Sequence, residues 1–255
     1  MNDLLKKLPS NNTSLSQDYH EATKLNKFLK TVPKEDWPKT WHQVFYKGYP
    51  RFEKIGLVKP KKLDKISFDK VMKRRSSCRE FSSRPISKVA LSTFLYYSIG
   101  LKKIGAPDVG NRFYPSAGAR YPNEVYPIVL NVKGVNQGIY HYHVRSHSLE
   151  KMWTIKNLKQ KTLENFNQKF IYDAGVIFLV SAVFWRTQMK YGARGYRNLM
   201  YDTGHLCQNF YLTASALNIG CCSIGGLLDD KVNKLLGLDG KEESALLAVA
   251  IGKKK

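Results

Sequence analysis

The segment Val176–Trp185, VIFLVSAVFW, is the most apolar run in the chain. It is too short to cross a bilayer, and its branched and aromatic residues read as a buried strand. Directly on it follows WRTQMKYGARGYR, Trp185–Arg197, with one lysine, three arginines, two tyrosines and two glycines. A long amphipathic helix comes next, because Leu199, Thr203, Leu206, Phe210, Ala214 and Leu217 recur every three or four residues up to Gly220. A polar run that leaves a core strand either decorates a surface or lines a pocket. The pocket is the reading taken here.

The chain has 255 residues, 43% hydrophobic and 12% aromatic, which is the composition of a globular protein able to bury a real core. Lys and Arg number 42 against 20 Asp and Glu, a formal net charge of +22. Such charge favours phosphates, nucleic acid, anionic membrane surfaces or acidic partners, and carries no information on fold. The basic residues are spread along the chain, so a generally basic surface explains them equally well. Cys78, Cys207, Cys221 and Cys222 have no Cys-x-x-Cys spacing and read as reduced, buried thiols, with no zinc site. The N-terminal MNDLLKKLPSNNTSLSQDYH has no apolar run long enough for a signal peptide, and no later segment is long enough for a membrane helix, so a soluble cytoplasmic protein is expected.

Residues 1–64 are rich in lysine and aromatics and broken by Pro33, Pro38, Pro50 and Pro60. They read as an extension wrapping a body formed by residues 65–255, with one helix over Glu21–Lys30. In the body, Ser67 caps a helix whose Phe68, Val71 and Met72 share a face, and Ser87 caps a second with Val89, Phe94, Leu95 and Ile99 on its apolar side, ended by Gly100. Strands are expected at Val125–Val132, with Pro127 at an edge or strand start, and at Gly138–Val144, Leu149–Ile155, Cys221–Ile224 and Ala245–Gly252. Helices are expected at Leu158–Phe170 and Asp230–Leu236. Without regular βαβ alternation the class is α+β.

Three places suit an anionic, flat ligand. Arg75, Ser76, Ser77 and Arg79 combine guanidinium forks with hydroxyls, the mixture that phosphate recognition needs, and Lys253 is a further donor. Pro115-Ser116-Ala117-Gly118 and Ile224-Gly225-Gly226 let backbone N–H groups approach a ligand closely. Each alone is as readily an ordinary turn. His141 and His143 share a strand face but lack a third ligand, so no metal site is assigned. Asp202 and His205, one helical turn apart, read as a local stabilising pair.

Taken together these residues resemble the FMN-dependent nitroreductase fold, through Arg75-x-Ser77-x-Arg79-x-Phe81, the Pro115–Gly118 loop, the Gly225–Gly226 pair and the last strand with Lys253. YHEATK at 19–24, PSAGARYPNEVY at 115–126, GIYHYHV at 138–144, KYGARGYR at 190–197 and DTGHLCQN at 202–209 are similar to the dehydrogenase subunits of thiazole/oxazole-modifying peptide systems. The resemblance implies a nitroreductase-like α+β domain with a central mixed β-sheet flanked by helices, and a homodimer with FMN at its interface. Arg75, Ser76, Ser77, Arg79 and Lys253 would hold the flavin's phosphate and ribityl chain. Pro115, Ser116 and Ala117 would reach it from the other subunit, and Gly225 or Gly226 would present an N–H near N5.

The implied reaction is oxidation of an azoline in a precursor peptide to the aromatic azole, with FMN taking hydride and Lys190, partnered by Tyr191, taking the proton. A base lysine needs a depressed pKa, for which Arg186, Arg194 and Arg197 are the expected source of field. Arg120, after PSAGA, is a departure that places charge at the site mouth. A cyclodehydratase partner is left open. The alternatives are a general NAD(P)H-dependent nitro- or quinone-reductase on the same fold and, less favoured, a basic nucleic-acid or partner-binding protein.

Overall fold

The computed structural model describes residues 13–25, 34–102 and 111–255. Helices α1 (Thr13–Ala22), α2 (Lys39–His42), α3 (Phe68–Arg74), α4 (Lys88–Ile99), α5 (Leu158–Leu163), α6 (Trp185–Tyr191), α7 (Arg194–Ala216) and α8 (Asp229–Leu236) surround the strands. These are β1 (Lys54–Gly56), β2 (Ile86–Ser87), β3 (Asn123–Val129), β4 (Val132–Lys133), β5 (Gly138–His143), β6 (Ser148–Trp153), β7 (Val176–Val183), β8 (Gly220–Ile224) and β9 (Glu243–Gly252). Seven strands form one sheet in the order β1-β6-β5-β3-β7-β9-β8.

Every neighbouring pair in that sheet runs antiparallel, so the expected mixed sheet is corrected. The parallel pairing, β2 with β4, is a two-residue ladder outside the main sheet.

The buried strand is β7, enclosed between β3 and β9, and all eight of its residues are buried. Alternate side chains serve two cores. Phe178 stacks on Phe94 of α4 and Phe210 of α7, with ring centroids 5.0 and 5.6 Å away. Ile177 and Leu179 join Tyr126, Ile128, Val232 and Leu236 in the core on the opposite face. Burying each such side chain contributes about 1.5–3 kcal/mol.

Both predicted caps form: Ser67 accepts from the Lys70 amide and Ser87 from the Ala90 amide. Their helices orient differently from expectation. In α3 only Val71 is buried, while Phe68 and Met72 are 72% and 44% exposed. In α4 Leu91 rather than Val89 faces the core. Pro127 lies in a central strand, where the β3–β5 ladder has already ended at Ile128, so its missing N–H removes no bond on that side. The expected helix over Leu158–Phe170 stops at Leu163 because Phe166 bridges to Leu227 and the Asn167 amide donates to the Gly226 carbonyl. The N-terminal helix occurs earlier than expected, and residues 26–30 of that expectation lie outside the described residues. Among the described residues no helix is long and apolar enough to cross a membrane.

Candidate functional site

Trp185–Arg197 forms α6 and the first turn of α7. Gly192, at φ 54° and ψ −143°, separates α6 from α7, a conformation that side chains beyond glycine resist. Gly195 then lets α7 fold back on α6, since a Cβ there would stand 2.7 Å from the Gln188 backbone. The effect is to aim Lys190 and Tyr191, at the C-terminal end of α6, at the Pro115–Gly118 loop. A Cβ on Gly118, whose φ is +58°, would collide with the Tyr191 hydroxyl and stand 3.4 Å from Lys190 Nζ. Burial pushes the Tyr191 phenol up, with Arg120 opposing, so it stays protonated at neutral pH.

The loop is fixed by α7. Asp202, 1% exposed, accepts from Ser116 Oγ and from the Ala117 amide at 3.1 Å. Its hydrogen-bond partners are therefore in the loop, and exposed His205, one turn along, acts on it through charge alone. Burial raises the Asp202 carboxyl to about 6 against these two hydrogen bonds. A carboxyl raised in the folded state binds more protons there, so stability falls as pH rises from the unfolded value towards 6. On moving from pH 7 to 4.5 the wild type should gain about 2 kcal/mol relative to Asp202→Asn, readable from thermal melts at both pH values.

Each of the three arginines has a hydrogen-bond partner outside the Pro115–Gly118 loop. Arg194 donates to the Thr23 carbonyl at 2.6 Å, and Arg197 to the His20 carbonyl at 3.0 Å and to Thr23 Oγ1. Tyr19 adds an edge contact to Tyr196 at 5.9 Å. Two of the motifs that carry the resemblance, YHEATK and KYGARGYR, thus dock on each other. Arg186 is 4% exposed and binds Glu124 at 2.6 Å. Arg120 is buried as well, and joins the Gly118 carbonyl at 3.0 Å to the Thr40 carbonyl at 3.1 Å instead of lining an open mouth.

Arg75, Ser76, Ser77 and Arg79 form a second group, all exposed, on the run after α3. Ser77 Oγ lies 3.1 Å from the Tyr211 hydroxyl, which accepts from the Ser223 amide, and the Cys78 amide donates to the Cys221 carbonyl. The same run reaches the last strand, where the Ser82 amide donates to the Lys253 carbonyl. A cleft of about 640 Å³ there is walled by Arg84, Pro85, Asn218 and Lys253–Lys255, without a carboxylate. Gly225 and Gly226 follow β8; a Cβ on Gly225 would meet nothing within 4 Å, whereas one on Gly226 would strike Gln168.

Asp202, which holds the first group, and Tyr211, which holds the second, are nine residues apart on α7. That is two and a half turns, at about 3.6 residues per turn, so they sit on opposite flanks of the helix. The chain therefore brings Ser116 and Ala117 to Lys190 and Tyr191, and keeps Arg75–Arg79 on the other flank of α7.

Three features were missed by the sequence reading. His141 is fully buried between Glu150 at 2.8 Å and Glu124 at 3.0 Å, rather than matched with His143. Burial opposes its charge, but the two carboxylates raise its pKa. Trp37 lies over Lys190, and Tyr211 anchors Ser77. The signal for the first was present, as Glu124, His141 and Glu150 alternate with the apolar Tyr126, Ile128, Ile139 and Met152 of that face.

The antiparallel sheet is covered by helices on both faces, with a basic cleft beside the end of β9. The nitroreductase family model matches residues 72–253, and the chain belongs to that family of oxidoreductases. It is 32% identical over 192 residues to the nitroreductase homologue MJ1384 of Methanocaldococcus jannaschii, covering 75% of this chain and 93% of that one. Over 180 residues it is 27% identical to the microcin B17-processing protein McbC of Escherichia coli, covering 68% of this chain and 62% of that one. Among solved structures, the E. coli microcin synthetase McbBCD complex with truncated pro-MccB17 bound contains a similar chain, at TM-score 0.64, 21% identity, and coverage of 95% and 92%. The peptide-processing relatives indicated by the motifs are thus present.

Proposed function

We propose that this chain is an FMN-dependent dehydrogenase that oxidises thiazolines or oxazolines of a precursor peptide to thiazoles or oxazoles. The observation that carries this reading is the convergence of Lys190 and Tyr191 on Gly118, which joins two motifs of the peptide-modifying branch, about 70 residues apart, into one site. The similarity to the microcin B17-processing protein supports a peptide substrate, and a cyclodehydratase partner is what the motif resemblance implies.

The second group suits a flavin phosphate. Arg75 and Arg79 offer charged forks, Ser76 and Ser77 hydroxyls, and Lys253 stands beside a cleft lined by lysine and arginine. Gly225, open above its Cα, leaves main chain accessible to a flat ring, with Gly226 next to it. Bound FMN would accept the hydride. Lys190 would take the proton from the neighbouring ring carbon, with the Tyr191 phenol orienting the substrate, and Pro115, Ser116 and Ala117 would complete the flavin pocket from a second protomer.

A homodimer is supported by the separation of the two groups across α7. It is supported further by exposed apolar side chains near them: Phe68 and Met72 on α3, Met200 and Tyr201 on α7. The reading of 1–64 as an extension on a 65–255 body is supported, among the described residues, by α1 docked on α7 and by the edge strand β1.

Purified protein should be yellow with a flavin spectrum, and Arg75→Ala should bind FMN at least tenfold more weakly, as expected for loss of charge-assisted phosphate bonds. Undiminished FMN affinity in that variant would reject the phosphate site. Oxidation of an azoline peptide by the FMN-loaded protein tests the reaction. Rapid bleaching by NAD(P)H with no azoline turnover would favour a general nitro- or quinone-reductase.

A further inference from the structure

Lys190 sits in the last turn of α6, where the helix C-terminus favours a cation. Its Nζ lies 3.6 Å from the centroid of the Trp37 ring, on the ring face, and 5.6 Å from that of Tyr191. A π face attracts an ammonium and gives a neutral amine no comparable stabilisation. The arginines that would have pushed the charge off Lys190 are occupied elsewhere: Arg186 on Glu124, Arg194 and Arg197 on α1. Titratable or charged groups on the elements that meet here include Arg120 on the loop, Tyr191 on α6, Asp202 and His205 on α7, and Glu35, Asp36 and Lys39 around Trp37. Both the helix end and the indole therefore favour the form of Lys190 that cannot accept a proton.

Trp37 is not adrift in this position. Trp41 packs near it, with centroids 5.9 Å apart, and the intervening Thr40 carbonyl accepts from buried Arg120. Arg120 belongs to the same loop as Gly118, against which Tyr191 rests. The segment from Lys34 to Trp41 is thus tied to the loop of the candidate site by one arginine, and places one aromatic ring on its lysine.

We propose that Trp37 is a positioning residue for the reaction, holding Lys190 as the ammonium in the free enzyme and releasing it as a base when the substrate takes the indole's place. The proposal rests on Lys190 as the proton acceptor. To act, Lys190 first loses its own proton to solvent and then takes one from the substrate carbon. A flat five-membered ring with a peptide backbone on either side is the kind of ligand that can displace the indole, and its arrival excludes water from the amine. The extension then contributes to the chemistry as well as to covering the body.

The test uses the FMN-loaded protein, with Trp37→Ala and Trp37→Phe compared with wild type. The pH above which kcat/KM for an azoline peptide rises should fall by roughly half to one unit in Trp37→Ala and by less in Trp37→Phe, which keeps a ring. A titration independent of turnover comes from reductive ¹³C-methylation of lysines, the Lys190 signal being the one lost in Lys190→Arg. Its methyls should be shifted upfield by the indole in wild type, and in Trp37→Ala should lose that shift and titrate at lower pH. A Lys190 signal with the same shift and midpoint in wild type and Trp37→Ala would overturn the proposal. Full azoline turnover in Lys190→Ala would instead remove the base assignment on which it rests, and the methyl titration distinguishes the two failures.

Discussion

Replacing Arg186 by methionine should destabilise the fold by about 3–5 kcal/mol at pH 7, measured by urea or thermal unfolding. The guanidinium donates to Glu124 at 2.6 Å and to the Tyr121 carbonyl at 3.2 Å, and both charged side chains are under 5% exposed. The other Glu124 oxygen faces His141, whose second nitrogen faces Glu150; that carboxylate accepts the Tyr49 amide at 2.9 Å. Methionine preserves much of the volume and leaves Glu124 with one fewer counter-charge in a dry site. An exposed pair would be worth at most about 1 kcal/mol, so a loss that small would mean that water reaches the network.

The pH dependence follows from the same pair. Burial works against the Glu124 charge, but Arg186 and His141 hold its pKa down to about 2. A depressed carboxyl contributes stability above its unfolded value that is lost as pH falls towards 2. The gap between wild type and Arg186→Met should therefore narrow below pH 4.5. Adding Glu124→Gln to Arg186→Met should recover part of the loss, because the stranded charge is gone.

What the sequence discloses divides along the range of the interactions. β7 is legible because a ten-residue run with Ser181 as its one polar residue has few alternatives, and the caps at Ser67 and Ser87 because their hydrogen bonds close within three residues. The direction of pairs such as β3–β7, β7–β9 and β1–β6 depends on partners tens of residues away, so a mixed sheet could be expected where an antiparallel one forms. Asp202 illustrates the same limit. Its local neighbour His205 is visible one turn along, while its hydrogen-bond partners, Ser116 and Ala117, lie 86 and 85 residues earlier.

The arginines of 186–197 show how charge misleads without partners. Their spacing marks a cationic run, and the reading of that run as a field on Lys190 is reasonable until the acceptors are known. Those acceptors are a carboxylate on β3 and backbone carbonyls of α1 and the turn after it. The glycines were more informative than the charges. Gly192 and Gly195 mark where two helices fold back on each other, and Gly118 marks where Tyr191 must fit.

Substituting Lys190 is the other change expected to have a large effect. Lys190→Ala should lower kcat/KM for azoline oxidation by about 10²–10⁴-fold, the usual worth of a general base, while leaving the flavin spectrum intact, because the proposed FMN-phosphate residues lie across α7. Tyr191→Phe should cost less than Lys190→Ala. Its hydroxyl, kept protonated by burial, can donate a hydrogen bond beside Gly118 but cannot take the substrate's proton at neutral pH. Lys190→Arg separates charge from proton transfer. Arginine keeps the cation and can still lie over Trp37, yet its guanidinium does not deprotonate, so a base at this position makes Lys190→Arg as inactive as Lys190→Ala. Single-turnover reduction of the bound flavin by an azoline peptide is the measurement. Arginine at wild-type rates would assign the position to holding the peptide by charge, and would move the search for the base to another residue of the Pro115–Gly118 neighbourhood.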